Sequence, residues 1–371
     1  MRRKKRNPKS KTSQNEIKKS SESLTTFSSL PYDLTLNCLA RVSRFYHPFL
    51  SIVSKSFRSL MASPDLEATR TCMGITENYL VVCLDRGKHK DSCRWFTLSP
   101  IPKHEKLLPI PSFPYLNPKY SAVVSIGSEI YIIGGHGQKY GKRVLVFDCR
   151  SPYQRRRLPK MRVPRRTPAV DVIHGKIYVI GGSMSNNIED WGEVYDPKAQ
   201  TWEPVLPTTQ DLTSQMSLVQ GNLVMGGRIY SMDDDYQLSF ITKFCVIKID
   251  NMLCRIRFQF GKFLWCDLKE SWRWTTVKGL QGLPNFEYII PCSDGRGRSV
   301  TVWWKTKVYP SEGPNWSWVP ITNIWCAEIS FKRRCSGMLW GFVEWSKIVF
   351  TLDQCDFFPY HFLLQSAIVT Y

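Results

Sequence analysis

Two stretches, IGSEIYIIGG (126–135) and HGKIYVIGG (174–182), each drive an apolar, β-type run into a pair of glycines. The pairs are Gly134-Gly135 and Gly181-Gly182, and the step from Gly134 to Gly181 is 47 residues. A strand that ends on paired glycines can open a phosphate-binding loop or punctuate a repeated β-unit, and the surroundings decide between the two. SAVVSIGSEIYIIGG (121–135) parallels TPAVDVIHGKIYVIGG (167–182), and VLVFDCRSPYQ (144–154) parallels GEVYDPKAQTW (192–202), with Asp148 matching Asp196. Each unit reads strand, turn, strand, Gly-Gly, loop, strand, turn, strand. Its length falls in the range of roughly 40–50 residues expected of a β-propeller blade. Ile130–Ile133 and Ile177–Ile180 are apolar on both faces, as central strands of stacked sheets require. Neither glycine pair is followed by Gly-Lys-Ser/Thr or by GxGxxG opening a helix, so a nucleotide loop is rejected.

The repeat resembles the kelch motif, marked by a double glycine, an aromatic-acid pair and a tryptophan. Here those are Gly181-Gly182, Tyr195-Asp196 and Trp202; in the preceding copy Gly134, Gly135 and Asp148 match, and Gln154 stands in place of Trp. The clearest repeats are 120–165 and 166–212. Degenerate copies occupy 213–257, where GGRIYSMDDD (226–235) matches the HGKIYVIGG strand, and 258–290, where WCDLKESWRWTTVKGL (265–280) carries the acid and Trp. RWFTLSP (94–100) fits the last strands of an opening blade. Residues 300–371 form a Trp-rich closing segment holding seven of the 13 tryptophans, expected mainly as core. The expectation is an all-β kelch-type propeller over 93–371, with four blades legible and five or six in all, and a connector or first strands at 72–92.

Upstream lies SLPYDLTLNCLARVSRFYHPFLSIVSKSFRSLMASPDLEATRT (29–71). Pro31 suits a helix start, where its missing N–H is not needed, and Asp33 in that first turn suits the helix dipole. Leu34, Cys38, Leu39 and Val42 recur at helical spacing; Pro48 permits a second helix with Phe49, Leu50, Ile52 and Val53. Phe57, Leu60 and Met61 make a third, which Ser63-Pro64 stops. Three short helices are too few to bury all this apolar surface, so a module of this size borrows a partner. Leu30-Pro31-x-Asp33-Leu34, Leu39-x-x-Val42 and Val53-Ser54-Lys55-Ser56-Phe57-Arg58-Ser59-Leu60 resemble the F-box, and Ser63-Pro64-Asp65-Leu66 with Arg70 fits its plant form. The resemblance implies an F-box over 25–71 that docks a Skp-type adaptor and, through it, cullin and RING subunits. Leu30, Pro31, Asp33, Leu34, Leu39, Val42, Leu50, Val53 and Phe57 are the implied adaptor-binding residues. Kelch-bearing F-box proteins end in sequence similar to IWCAEISFKRR (324–334) and LWGFVEW (339–345).

The formal net charge is +20, and +8 of it lies in residues 1–20. That aromatic-free basic tail, 1–24, cannot bury enough apolar surface to order itself and is expected to be disordered. Its Arg2, Arg3, Lys4, Lys5 and Arg6 match a basic nuclear-import patch, with a solubilising tail as the alternative. A secretory leader and a membrane span are not expected, since no suitable apolar run is present. The 12 cysteines show no CxxC spacing and read as buried thiols of a reducing compartment, nucleus or cytoplasm. The six histidines are dispersed, and no catalytic elbow or metal motif occurs, so no catalytic residue, metal or cofactor is assigned. QRRRLPKMRVPRR (154–166) holds seven basic residues and is expected on an inter-blade connection, solvated or facing an acidic partner. Nucleic acid ranks behind these, because no groove-reading module accompanies the charge. Together these readings describe an SCF-type ubiquitin-ligase receptor whose propeller binds an unknown target protein. The alternatives are a non-degradative scaffold and, further behind, a propeller enzyme or nucleic-acid binder.

Overall fold

The computed structural model describes residues 30–370 apart from 86–92, 102–103, 111–117, 136–140, 150–154, 186, 207–221, 226–227, 233–237, 242–243, 250–251, 260–261, 268–272, 293–298, 310–320, 335–336 and 353–361. The basic tail with its Arg2–Arg6 patch, Gln154 and Asp233 lie outside the described residues. The chain divides into two compact units between Ile75 and Thr76.

The first unit is helical: α1 (Tyr32–Ala40), a 3₁₀ turn (Arg44–Tyr46), α2 (His47–Val53), α3 (Lys55–Met61) and α4 (Pro64–Cys72). The sequence reading expected three helices ending at Ser63-Pro64, and the structure adds a fourth. Pro64 occupies the first turn of α4, and the Ser63 hydroxyl accepts from the N–H groups of Asp65 and Leu66. The same pair therefore stops one helix and caps the next. Leu36, Leu39, Ala40 and Leu66 form the core, with Leu50, Phe57, Leu60, Met61 and Met73 packed around it. Arg70, 1% exposed, donates through Nη1 to the carbonyls of Ala40 (2.7 Å) and Val42 (2.9 Å). It thereby satisfies acceptors that the end of α1 leaves unpaired.

The second unit is a β-propeller of six antiparallel sheets, five of them four-stranded and one three-stranded among the described residues. The first sheet holds β1 (Asn78–Asp85), β2 (Cys93–Leu98) and β3 (Leu107–Pro109); the second β4 (Ser121–Ile126), β5 (Glu129–Gly134), β6 (Val144–Asp148) and β7 (Arg155–Arg157). The third holds β8 (Ala169–Ile173), β9 (Lys176–Ile180), β10 (Gly192–Asp196) and β11 (Thr201–Val205). The fourth is β12 (Asn222–Met225), β13 (Arg228–Met232) and β14 (Leu238–Ile241); the fifth β15 (Phe244–Ile249), β16 (Met252–Gln259), β17 (Lys262–Asp267) and β18 (Thr275–Thr276). The sixth is β19 (Tyr288–Cys292), β20 (Ser299–Val308), β21 (Ile321–Arg333) and β22 (Leu339–Leu352). The last strand, β23 (Leu363–Thr370), returns to the first sheet and pairs with β1, Asn78 facing Thr370.

Neighbouring sheets meet around the ring through their inner strands, β23 to β4 to β8 to β12, then through the middle strand β13 to β15, and on from β15 to β19 and β19 to β23. Closure through β23 ties the last strand to the first and covers the edge of β1 that would otherwise be unpaired. Apolar faces bury each other between sheets: Tyr131, Ile133, Val146, Val170, Ile177 and Val179 join the second to the third. Trp265, Val302, Trp304 and Ile329 join the fifth to the sixth, where the Trp304 and Trp325 rings stack 5.7 Å apart. Trp303 and Trp304 are buried at 0% and 6% exposure, whereas Trp325, Trp340 and Trp345 are half-buried. Six of the described cysteines are buried, but Cys38 and Cys72 of the helical unit are exposed, which corrects the expectation of buried thiols throughout.

Candidate functional site

In the helical unit, short helices decide what is displayed. α2, HPFLSIV, is seven residues long and carries apolar side chains all round, so it can turn only part of them inward. Leu50 packs on the core, whereas Phe49, Ile52 and Val53 are 59%, 75% and 67% exposed. At the start of α1, Leu30, Tyr32 and Leu34 are exposed as well, and Tyr46 joins them from the 3₁₀ turn. These seven are among sixteen large apolar side chains exposed in the described protein, although the helical unit is much the smaller of the two. Such concentration marks an interaction surface.

The residues expected to bind an adaptor fall into three groups. Leu30, Pro31, Asp33, Leu34 and Val53 are exposed; Val42, Leu50 and Phe57 are half-buried. Leu39 is 3% exposed and belongs to the unit's own core, which corrects its reading as a contact. The periodicity that selected Leu39 reports burial without saying against what. Phe49, Ile52, Tyr32 and Tyr46 are exposed beside them and are not among the adaptor-binding residues expected from the sequence, although two apolar pairs on a seven-residue helix are a legible sign of excess apolar surface.

In the propeller, the repeat marks hold the architecture. Gly134, Gly181 and Gly182 have φ of 87°, 67° and 68°, in the left-handed region that glycine adopts freely. A Cβ on Gly182 would stand 2.4 Å from the Arg166 carbonyl oxygen, so the backbone of the next connection needs that space. Tyr195 is buried, its ring 5.0 Å from that of Trp202, and the Trp202 indole N–H donates to the Pro159 carbonyl at 2.9 Å. The third sheet is thereby fastened to the end of the second. Asp196 accepts from the Lys198 and Ala199 N–H groups across the β10–β11 turn, and the hydrogen bond from Lys176 holds its carboxyl below the usual range.

The basic run 154–166 is the largest departure from the sequence reading. Arg155–Arg157 form β7, the outer strand of the second sheet, and Arg156 pairs with Glu129. Arg165 is wholly buried, with its Nε 2.9 Å from Oε1 of the equally buried Glu193. Its other nitrogens donate to the carbonyls of Gly181, Trp191 and Asp190. Burial lowers the Arg165 pKa from its usual value, and Glu193 opposes that. One cation of the run is thus a structural bolt between connections, unavailable to any partner.

Around the axis, the inner strands enclose a cavity of about 160 Å³ lined by Ala122, Val124, Val170, Ile290 and Ala367, with the hydroxyls of Ser125 and Ser366. No acid, imidazole or thiol lines it. Among the described residues, no group of three His, Cys, Asp or Glu is placed to hold a metal ion, and no helix is long and apolar enough to cross a membrane.

Residues 27–69 match the F-box domain family, and 95–350 match the kelch-repeats domain of the FKB95 type. The protein is thus of the class that joins an F-box to a kelch propeller. Among its relatives, At5g03000 of Arabidopsis thaliana, named for an F-box and kelch repeats, is 54% identical over 361 residues, covering 96% of this chain and 93% of the relative. The F-box/kelch-repeat protein At5g03020 of the same plant is 48% identical over 357 residues, covering 94% and 96%. The F-box/kelch-repeat protein At4g39550 is 36% identical over 371 residues, covering 89% and 92%. The chain belongs to the F-box/kelch-repeat family.

Proposed function

We propose that this protein is a substrate-recognition subunit of an SCF-type ubiquitin ligase, its F-box docked on a Skp-type adaptor and its propeller presenting a target protein. The observation that carries the reading is the outward apolar set Leu30, Leu34, Phe49, Ile52 and Val53 on a unit whose small core is already complete without them. An apolar surface left over after a domain has filled its core is covered by another protein. In this reading the chain supplies no catalytic group. Holding the target beside a conjugating enzyme raises their effective concentration, and the transfer chemistry belongs to the other subunits.

The test is capture of a purified Skp-type adaptor by the full-length protein. Wild type binds, and the pair Leu34→Ala with Val53→Ala loses binding by at least about a hundredfold, as apolar anchors of about 1.5–3 kcal/mol each would. Both side chains point outward, so the helical CD signal stays unchanged. Leu39→Ala instead loses the helical signal itself. Wild type that fails to bind any Skp-type adaptor would sink the ligase reading and leave a non-degradative scaffold.

A further inference from the structure

The end of the second and third sheets that carries the double glycines gathers cations with few carboxylates beside them. Register places Ser121, Gly134 and Val144 together at that end of the second sheet, and Ala169, Ile180 and Gly192 together in the third. The connections there are bonded into one rim. Gly141 and Arg165 exchange backbone hydrogen bonds, Met161 donates to Lys142, Arg166 donates to Gly182 at 2.7 Å, and Thr167 donates to Tyr120 at 2.8 Å. Five cations ride on this rim: Lys119, Lys142, Arg143, Arg162 and Arg166. The Arg166 guanidinium lies 4.2 Å from the Tyr120 ring centroid. The Lys142 ammonium donates to the Arg162 carbonyl.

Carboxylates are scarce at the same end. Glu193 is consumed by Arg165 inside the rim, and only Glu189 and Asp190 remain near the surface. Among the described residues, the side chains of Arg143 and Arg166 meet no carboxylate within ion-pair distance. At the opposite end of the same sheets acids and cations offset each other, with Glu129, Asp148 and Asp196 at the turns beside Arg156, Lys176 and Lys198, and two of the acids are ion-paired. Met184, 75% exposed, stands between the double glycine of the third sheet and Asp190, giving the rim an apolar contact as well.

We propose that this rim is the target-binding face for an extended acidic peptide segment, its carboxylates taken by Lys142, Arg143, Arg162 and Arg166 and its apolar side chains by Met184. Arginines already stacked or fixed by backbone bonds lose little freedom on pairing, and the planar guanidinium suits bidentate carboxylates. A nucleic acid is the competing occupant. It is disfavoured because, among the described residues, the Tyr120 ring on the rim is already covered by Arg166 and offers no open stacking face. The inference rests on the receptor reading above and supplies the chemical class of the target.

The probe is a fluorescent peptide of alternating glutamate and leucine-glycine units, measured by anisotropy on the full-length protein. A lysine-containing counterpart and a single-stranded oligonucleotide of equal charge serve as competitors. The wild type binds the acidic peptide, and Arg143→Glu with Arg166→Glu weakens it at least about tenfold, one decade being about 1.4 kcal/mol. Lys198→Glu, at the opposite end, leaves it unchanged. Retention of affinity in the double variant, or an oligonucleotide that outcompetes the peptide at the same residues, would overturn the proposal. Adaptor capture by the same preparations separates the two readings: a lost rim with intact capture condemns only the acidic-peptide face, and lost capture with peptide binding condemns only the ligase role.

Discussion

Arg165 and Glu193, 28 residues apart in the chain, form an ion pair with both side chains at 0% exposure. Glu193 also accepts from the Arg162 backbone N–H at 2.7 Å, and Arg165 donates to three further carbonyls. Charges taken out of water persist only when paired and hydrogen-bonded in this way, and removing one partner strands the other.

Arg165→Met is therefore expected to destabilise the propeller by about 3–5 kcal/mol. The carbonyls of Gly181, Trp191 and Asp190 lose their donor at the same time. Adding Glu193→Met recovers part of the loss but not the share due to those carbonyls. Urea unfolding followed by tryptophan fluorescence reads both. A single variant that unfolds like the wild type would show the pair to be dispensable.

Two glycines separate backbone strain from steric exclusion. Gly175 has φ of 75° and nothing within 4 Å of a notional Cβ, whereas Gly182 has φ of 68° and the Arg166 carbonyl oxygen at 2.4 Å. Gly175→Ala is expected to cost about 1–2 kcal/mol, the left-handed penalty alone. Gly182→Ala costs that and the displacement of the Arg166 backbone, so its thermal midpoint falls several degrees further than that of Gly175→Ala. Equal midpoints would mean that the 160s connection yields freely.

Local chemistry made the second and third sheets readable. The Asp196 turn acts within a few residues, and although Gly182 and Trp202 meet Arg166 and Pro159 of the preceding connection, all these marks keep the spacing of the repeat. The fourth and fifth sheets keep the strands but have lost the glycine marks, so only the run around Ile229-Tyr230 and the Cys266-Asp267 segment signalled them. Closure was not legible at all: β23 pairs with β1, Val369 against Tyr79, and no local pattern announces a partner at the far end of the chain. The same limit hid Arg165. In the sequence it is one of seven cations in a basic run, and only the fold brings Glu193 to it. In the helical unit, periodicity found the apolar positions but could not sort Leu39, which faces inward, from Leu34 and Val53, which face water.

Stability should also fall in alkali, because several buried groups hold their protons. Burial pushes the Cys149 thiol from 9.0 up to about 12, with the charge of Asp148 adding to it. Burial likewise raises Cys83, Cys245 and Cys326 well above the usual thiol value, and raises the phenols of Tyr131 and Tyr288. An unfolded thiol releases its proton near 9.0 while the folded one keeps it, so between 9.0 and about 12 the unfolded state binds fewer protons at Cys149. The contribution is therefore fully present below pH 9.0 and is lost as pH rises through that window. Each such group removes up to about 1.4 kcal/mol per pH unit once inside its window. Unfolding free energies measured in urea under reducing conditions should hold up to about pH 9 and decline from there to about pH 10.5, and Cys149→Ser should flatten the slope by the share of one group. The exposed Cys38 and Cys72 contribute access instead: an alkylating reagent, which reacts with the thiolate form, should modify them in the native protein before the buried thiols of the described propeller. A flat stability profile across the alkaline range, or early labelling of Cys83 or Cys326, would mean that these thiols are open to water.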